Sequence, residues 1–346
     1  MEFMRATEDA ALAAYQWLGK GNKEAGDEAA SDAIRGHFDS VAIAGTVTIG
    51  EGIKDDAPGI FKGDKLGTWE EGALRMAIAL DPIDGTTLVA KGLNGAISVI
   101  AAATCNDDNT DPMKLLADIP SFYMLKLAVG PKVTEAPGQV RLDNSVQDNL
   151  EIIALKLGKR VSELTVVILD RPRHDQLIKD VRAAGAAIRL ISDGDIAAAI
   201  APSLPGSGVD VYMGIGGSPE AVLAAAAIKC LGGEIYCRMH PKDDKERAHL
   251  LSTGLVAAGL TESDLTRVWR ADDLAKGDGI LFAATGISDS ALLKGIRFEG
   301  RRAVTVSMLM RAQYRTIRYV RTHHDLDFKV FHARGNKPGQ PKSWRL

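Results

Sequence analysis

Two spacings of apolar residues succeed one another along the chain. Over 6–20 ("ATEDAALAAYQWLGK") apolar side chains recur at helical intervals, and Gly19 and Gly21 break the run. A second helix is predicted over 25–38 ("AGDEAASDAIRGHF"). The period then shortens, and 41–50 ("VAIAGTVTIG"), 73–80 ("ALRMAIAL"), 96–103 ("AISVIAAA") and 122–129 ("FYMLKLAV") read as strands. No convincing helix separates them before 145–158 ("SVQDNLEIIALKLG"), so this half reads as helices with a largely antiparallel sheet.

Further on the pattern alternates. Strands at 165–169, 187–192 and 209–213 are interleaved with helices at 175–185, around "DIAAAIA", and at 219–232. Alternation of this kind predicts a mostly parallel sheet with helices packed on it. "AVTVSMLMR" and "YRTIRYVRTHH" read as a further strand pair. The fold class is thus mixed α/β. With 346 residues the chain suits two domains or one two-lobed unit. The expected division is 1–160, a metal-binding N-terminal domain, and 161–330, an α/β substrate-binding domain; 331–346 is a polar, basic tail expected to be loosely ordered.

Composition removes several classes of function. Basic and acidic side chains number 42 and 45, for a net charge of −3, and aromatics are 5%, which disfavours a nucleic-acid partner. The longest apolar stretches, such as "AVLAAAAI" (221–228), fall short of the roughly 18 residues a membrane span needs. The N-terminus lacks the basic start and apolar core of a signal peptide. Cys105, Cys230 and Cys237, odd in number and irregular in spacing, read as reduced thiols in a cytoplasmic protein.

Charge is placed with purpose at strand ends. Residues 80–88, "LDPIDGTTL", put Asp81 and Asp84 at the mouth of a buried strand, with Pro82 and Gly85 presetting the chain direction. Two like charges so close call for a cation, and hard oxygen donors suit Mg²⁺ or Mn²⁺. The alternative is that one aspartate caps a short helix at "TTLVAKG". Glu51, between two glycines in "IGEGIKDDAP", is a second acidic candidate, against a plain polar loop. Asp27, in "GNKEAGDEAA", is a third, against a surface acid. In "GIGGSPEAVLAAAA" a strand enters a glycine-rich turn and a helix, whose free N–H groups suit phosphate; Glu220 lies in its first turn, where an acid is stabilised in any case. "DRPRHDQ" brings Arg171, Arg173 and His174 to another strand end, and "SDGDIAAA" lies at one more. Ligands collect at such ends in open α/β sheets.

These motifs, in this order, resemble the metal-dependent, lithium-sensitive phosphatase superfamily, of which "DPIDGT" is the core motif. With "GNKEAGDEAA", "FYMLKLAVGP", "LDRPRHDQLI", "SDGDIAAAI", "GIGGSPEAVLAAAAIKCLGG" and "FAATGISDSALLKGIR", the chain is similar to class II fructose-1,6-bisphosphatases of the bacterial GlpX type over nearly its whole length. The resemblance implies a sugar-phosphatase fold, a layered αβαβα sandwich. It implies metal ligands at Asp27, Glu51, Asp81, Asp84 and Glu220. Substrate contacts are implied from Asp84, Gly85 and Thr86, from Tyr123, from Arg171, Pro172 and Arg173, from Asp193, Gly194 and Asp195, and from Gly217. Asp84 stands where many members carry glutamate, and 105–121 looks like an inserted loop.

The expected reaction is metal-dependent hydrolysis of the 1-phosphate of fructose 1,6-bisphosphate. Thr86 would position the attacking water and Asp27 would take its proton; the alternative for Thr86 is a helix cap. Lys23 could neutralise phosphate or simply be solvated. Rival readings are a dual fructose-1,6/sedoheptulose-1,7-bisphosphatase, another inositol- or nucleotide-phosphatase-like enzyme, and a sugar-phosphate-binding regulatory protein without catalysis. A homo-oligomer, dimer or tetramer, is the expected assembly.

Overall fold

The computed structural model describes residues 1–50, 59–104, 110–135, 139–331 and 342–343. In chain order the strands are β1 (Ile43–Ile49), β2 (Lys65–Leu66), β3 (Leu74–Asp84), β4 (Ile97–Thr104), β5 (Tyr123–Val129), β6 (Thr165–Leu169), β7 (Ala187–Ile191), β8 (Val211–Gly217), β9 (Glu234–His240), β10 (Trp269–Arg270), β11 (Ile280–Gly286), β12 (Arg297–Glu299), β13 (Arg302–Arg311) and β14 (Thr316–Asp325). A short pair, Val330–Phe331 with Lys342–Ser343, stands apart from both main sheets. Two compact units result: Met1–Leu116 with Gly277–Leu346, and Ala117–Lys276. The divisions fall at 116/117 and 276/277 instead of near residue 160, because the last long strands return to the first unit.

In the first unit the sheet runs β12-β13-β11-β4-β3-β1-β2, with β14 also on β13. Among the described residues only β1 and β3 pair in parallel in this sheet, and the other pairs are antiparallel. Helix α1 (Glu2–Tyr15) lies between the sheet and helix α2 (Lys23–Phe38) and is buried around almost its whole girth. Its alanines at 6, 10, 11, 13 and 14 let both neighbours approach closely. Helix α2 begins at Asn22, whose side chain accepts a hydrogen bond from the Ala25 N–H.

Burial of α1 takes two carboxylates with it. Glu8 accepts hydrogen bonds from the hydroxyls of Thr305, Ser307 and Thr322 on β13 and β14. Asp9 meets His37 of α2 at 3.0 Å and Lys329 at 2.6 Å. Buried charges persist only when so partnered.

In the second unit the order is β10-β9-β5-β8-β6-β7. Among the described residues parallel pairing is confined to β8-β6-β7, and the remaining pairs are antiparallel. This corrects the expected mostly parallel sheet. The strand read at 122–129, β5, belongs here, between β9 and β8, and makes the sheet mixed. Spacing of apolar residues reports which face is buried, not which strand is the neighbour. The helix Val146–Leu157 starts at a Ser145 cap that bonds the Asp148 N–H, and ends at Gly158 in the left-handed region.

Candidate active site

In the first unit β3 runs through the aspartate motif itself. Its ladder with β4 is regular up to Asp81 opposite Val99, then shifts, so that Asp84 stands opposite Ile97. One extra residue on β3 makes a bulge there. Pro82 has no N–H to lose at this point. The Asp81 carboxylate accepts from the Ile83 N–H at 3.0 Å, which holds the turn. Asp84 is buried. Gly85 follows with φ of 96°, and helix α3 (Thr86–Lys91) begins at once.

Gly85 is the N-cap of α3 and no side chain caps it, so neither aspartate is spent on the helix. Thr86 is its first residue, half-buried, and its hydroxyl makes no hydrogen bond to any described residue. Helix α2 packs on this turn: the Ile83 side chain lies 3.6 Å from where a Cβ on Gly26 would sit, one residue before Asp27. Lys23 is exposed and donates to the Thr87 hydroxyl at 2.8 Å. Glu51, Asp55 and Asp56 lie outside the described residues, as do Cys105 and the start of the 105–121 segment.

In the second unit one end of the sheet gathers most of the remaining candidates. Tyr123 opens β5 and is paired with Gly217 at the end of β8 and with His240 at the end of β9. The Arg173 guanidinium stacks 4.8 Å over the Tyr123 ring and donates through Nε and Nη2 to the Ile215 carbonyl, at 3.1 and 2.9 Å. Arg171 meets Asp193 at 3.3 Å. Pro172 opens the 3-10 turn that carries both arginines, and Gly194 turns the next loop with φ of 68°.

Asp195 is paired within the interior of this unit. Its carboxylate is buried and accepts from Lys126 Nζ at 2.8 Å and from the Tyr212 hydroxyl at 2.7 Å. Lys126 and Tyr212 are themselves wholly buried. Burial, reinforced by the Asp195 charge, raises the Tyr212 hydroxyl well above the ordinary tyrosine range.

Beyond Gly217, which caps the helix Ser218–Leu231, the Glu220 carboxylate folds back over the strand end. Its Oε2 is buried and accepts no hydrogen bond. Burial pushes the Glu220 carboxyl upward and Lys126 pulls it down, while Asp195 and Asp193 add to the rise.

Along residues 1–324 the sequence matches the family described as "Bacterial fructose-1,6-bisphosphatase, glpX-encoded". The chain belongs to this family. A Haemophilus influenzae relative named "Fructose-1,6-bisphosphatase class 2" is 41% identical, covering 94% of this chain and 96% of its own. A Synechococcus sp. relative (strain JA-3-3Ab) named "D-fructose 1,6-bisphosphatase class 2/sedoheptulose 1,7-bisphosphatase" is 38% identical, covering 94% of this chain and 95% of its own.

The family is one of metal-dependent phosphatases, and the candidate donors fit a hard divalent ion. All are carboxylates, and Glu220 keeps a buried oxygen that no hydrogen bond satisfies. Among the described residues, no three His, Cys, Asp or Glu side chains stand together as a metal-binding group. Asp27, Asp81 and Asp84 belong to the first unit and Glu220 to the second. Lys126 and Tyr212 were not anticipated from the sequence. The signal for Lys126 was its place in the apolar strand "FYMLKLAV", where a lone cation needs a partner.

Among the described residues no helix is long and apolar enough to cross a membrane. Cys230 and Cys237 are free and buried, and burial pushes both thiols up to about 12.

Proposed function

We propose that this protein hydrolyses the 1-phosphate of fructose 1,6-bisphosphate to fructose 6-phosphate and phosphate, with Mg²⁺ or Mn²⁺ as cofactor. The observation that carries this reading is the strand-end group of the second unit, where Arg171, Arg173 and Tyr123 stand beside the open end of β8. Guanidinium forks match phosphate oxygens, and a tyrosine and a backbone turn match a sugar. Arg171, Pro172, Arg173, Asp193, Gly194, Tyr123 and Gly217 are assigned to substrate on this basis, with Gly85 and Thr86 from the aspartate turn.

Asp27, Asp81, Asp84 and Glu220, together with Glu51, are the proposed metal ligands. A bound divalent ion supplies a more acidic water and charge neutralisation at the phosphoryl oxygens. The Thr86 hydroxyl orients the attacking water, and Asp27 accepts its proton. The water oxygen bonds to phosphorus as the bond from phosphorus to the sugar 1-oxygen breaks, and that oxygen takes a proton from bulk water as it leaves. A homo-oligomer, and a cytoplasmic place expected from cysteine usage, belong to the same proposal.

The test is phosphate release from fructose 1,6-bisphosphate with Mg²⁺, with Mn²⁺ and in excess chelator, with the product identified as the 6-phosphate. Metal-independent release, or no release with either ion, would overturn the reading. The dual name of the Synechococcus relative supports a second substrate, sedoheptulose 1,7-bisphosphate. The same assay on that ester decides it.

A further inference from the structure

Strands β6 and β8 begin as parallel neighbours but pair only at Val166 with Val211 and Val167 with Tyr212. Beyond those two positions the ladder stops, although both strands continue, β6 to Leu169 and β8 to Gly217. Buried backbone groups left between diverging strands need other partners.

One side chain supplies them. His174, 1% exposed, closes the 3-10 turn after β6 and turns its ring into the gap. Its Nδ1 stands 2.7 Å from the Leu169 carbonyl, and its Nε2 stands 2.7 Å from the Ile215 amide nitrogen. A carbonyl can only accept and an amide N–H can only donate. The ring must therefore carry its proton on Nδ1 and present a lone pair at Nε2. Gly214 leaves room for the ring: a Cβ there would come within 3.1 Å of Nε2. The neighbouring Arg173 donates to the carbonyl of the same Ile215. Both polar groups of one residue of β8 are thus held by two adjacent residues of one turn.

We propose that His174 is a positioning residue: its neutral, Nδ1-protonated imidazole splices β8 to β6 past the end of their ladder, and so holds Ile215–Gly217 in register with the arginine-bearing turn. The inference rests on the reading of Arg171, Arg173 and Gly217 as substrate contacts. A second proton on the ring would set an N–H donor against the Ile215 N–H and open the splice. The charged groups facing the ring are Arg171 and Arg173 from its own turn and Asp195 from the loop after β7; β8 presents only backbone. Burial, with help from the two arginines, holds the imidazole below its ordinary range, so the splice stays closed at neutral pH.

The test uses the full chain. Long-range ¹H–¹⁵N correlation spectra of ¹⁵N-histidine protein, with His174 assigned by its loss in His174→Gln, should show the neutral Nδ1–H tautomer at pH 7. The Nε2–H tautomer or an imidazolium would overturn the proposal. In kinetics, His174→Phe keeps a ring and loses both bonds. KM for fructose 1,6-bisphosphate should rise roughly tenfold, the scale of one buried hydrogen bond left unmade, with kcat changed less. His174→Gln can donate and accept across the same gap and should recover most of that loss. Wild-type KM in a folded His174→Phe would overturn the proposal. If His174→Phe does not fold, His174→Gln carries the test: the wild-type KM should climb as pH falls below the ordinary histidine range and the Gln variant should not, and parallel profiles would overturn it. An unchanged KM in Arg173→Met would remove Arg173 from the substrate contacts, and the tautomer spectrum would still decide the splice.

Discussion

Asp195→Asn separates two roles for one residue. The resemblance assigns Asp195 to substrate, whereas its carboxylate is occupied by Lys126 and Tyr212 in the interior of the second unit. The substitution keeps the shape and removes the charge. Lys126, 1% exposed, then stands as a buried cation without its ion-pair partner, and the new amide directs a donor at either the ammonium or the phenol. Removing one partner of a buried pair costs about 3–5 kcal/mol. That is a large fraction of the roughly 5–15 kcal/mol that holds a domain folded.

Urea unfolding of the full chain, read by hydrogen exchange on peptides spanning β5 and β8, reports the second unit directly. The expected result is a loss of at least about 3 kcal/mol in that unit, with peptides of the first unit unchanged. Lys126→Met in the Asp195→Asn background should recover part of it, because the stranded charge is gone. If Asp195→Asn unfolds like wild type and only KM rises, Asp195 is a substrate contact and the interior pairing is energetically idle.

Three further outcomes are expected. Thr86→Ala should lower kcat by roughly 10²–10⁴-fold with an unchanged melting temperature, and Thr86→Ser should retain most activity; an early-melting alanine variant with normal kcat would reduce Thr86 to a structural role. Excess chelator should abolish phosphate release and Mg²⁺ or Mn²⁺ should restore it, and activity that survives chelation would remove the carboxylates from metal binding. His324, buried against Thr305, is held down to about 4 by burial from an ordinary 6.5. Between those values the unfolded chain binds the extra proton, so stability is full above about pH 6.5 and falls as pH drops toward 4, by at most about 3 kcal/mol. Melts at pH 7 and 4.5 should show a smaller acid loss in His324→Gln than in wild type, and equal losses would refute the assignment.

The elements were legible because each has a short-range cause. Strands at 165–169 and 122–129 and the helix at 219–232 appear within a residue or two of the reading. Their assignment to sheets was not legible. β5 sits among strands from much later in the chain, and β13 and β14 return to the first unit, since burial pattern fixes a face and leaves the partner open. Of the candidate site, the Asp81–Asp84 turn and the pair Arg171 and Arg173 were legible as charge placed at strand ends, whereas Tyr123 and Gly217, which carry no charge, came only from the family resemblance. The inward turn of Asp195 and His174 did not, because a polar side chain at a strand end can face ligand or interior with the same local sequence. Glu8 and Asp9 were hidden similarly, within a helix whose alanines read as one apolar stripe.

The run "GIGG" before the helix at 218 shows how the two kinds of signal mix. Read from sequence, its glycines clear space for phosphate at a helix start. In the structure they also clear space for polar side chains. A Cβ on Gly216 would lie 1.9 Å from the Asp195 carboxylate and 2.9 Å from Lys126 Nζ, and one on Gly217 would lie 1.9 Å from Glu220 Oε2. The strand can therefore lie against a buried ion pair on one side and a folded-back carboxylate on the other only if it has no side chains there. A glycine-rich turn that serves a ligand alone would tolerate alanine until ligand arrives. This one should not: Gly216→Ala must displace Asp195 from Lys126 whether or not substrate is present. Its melting temperature should fall by an amount that fructose 1,6-bisphosphate does not restore to wild type. A Gly216→Ala protein that melts normally and loses only substrate affinity would show that the interior had room to spare and that the turn is shaped by the ligand.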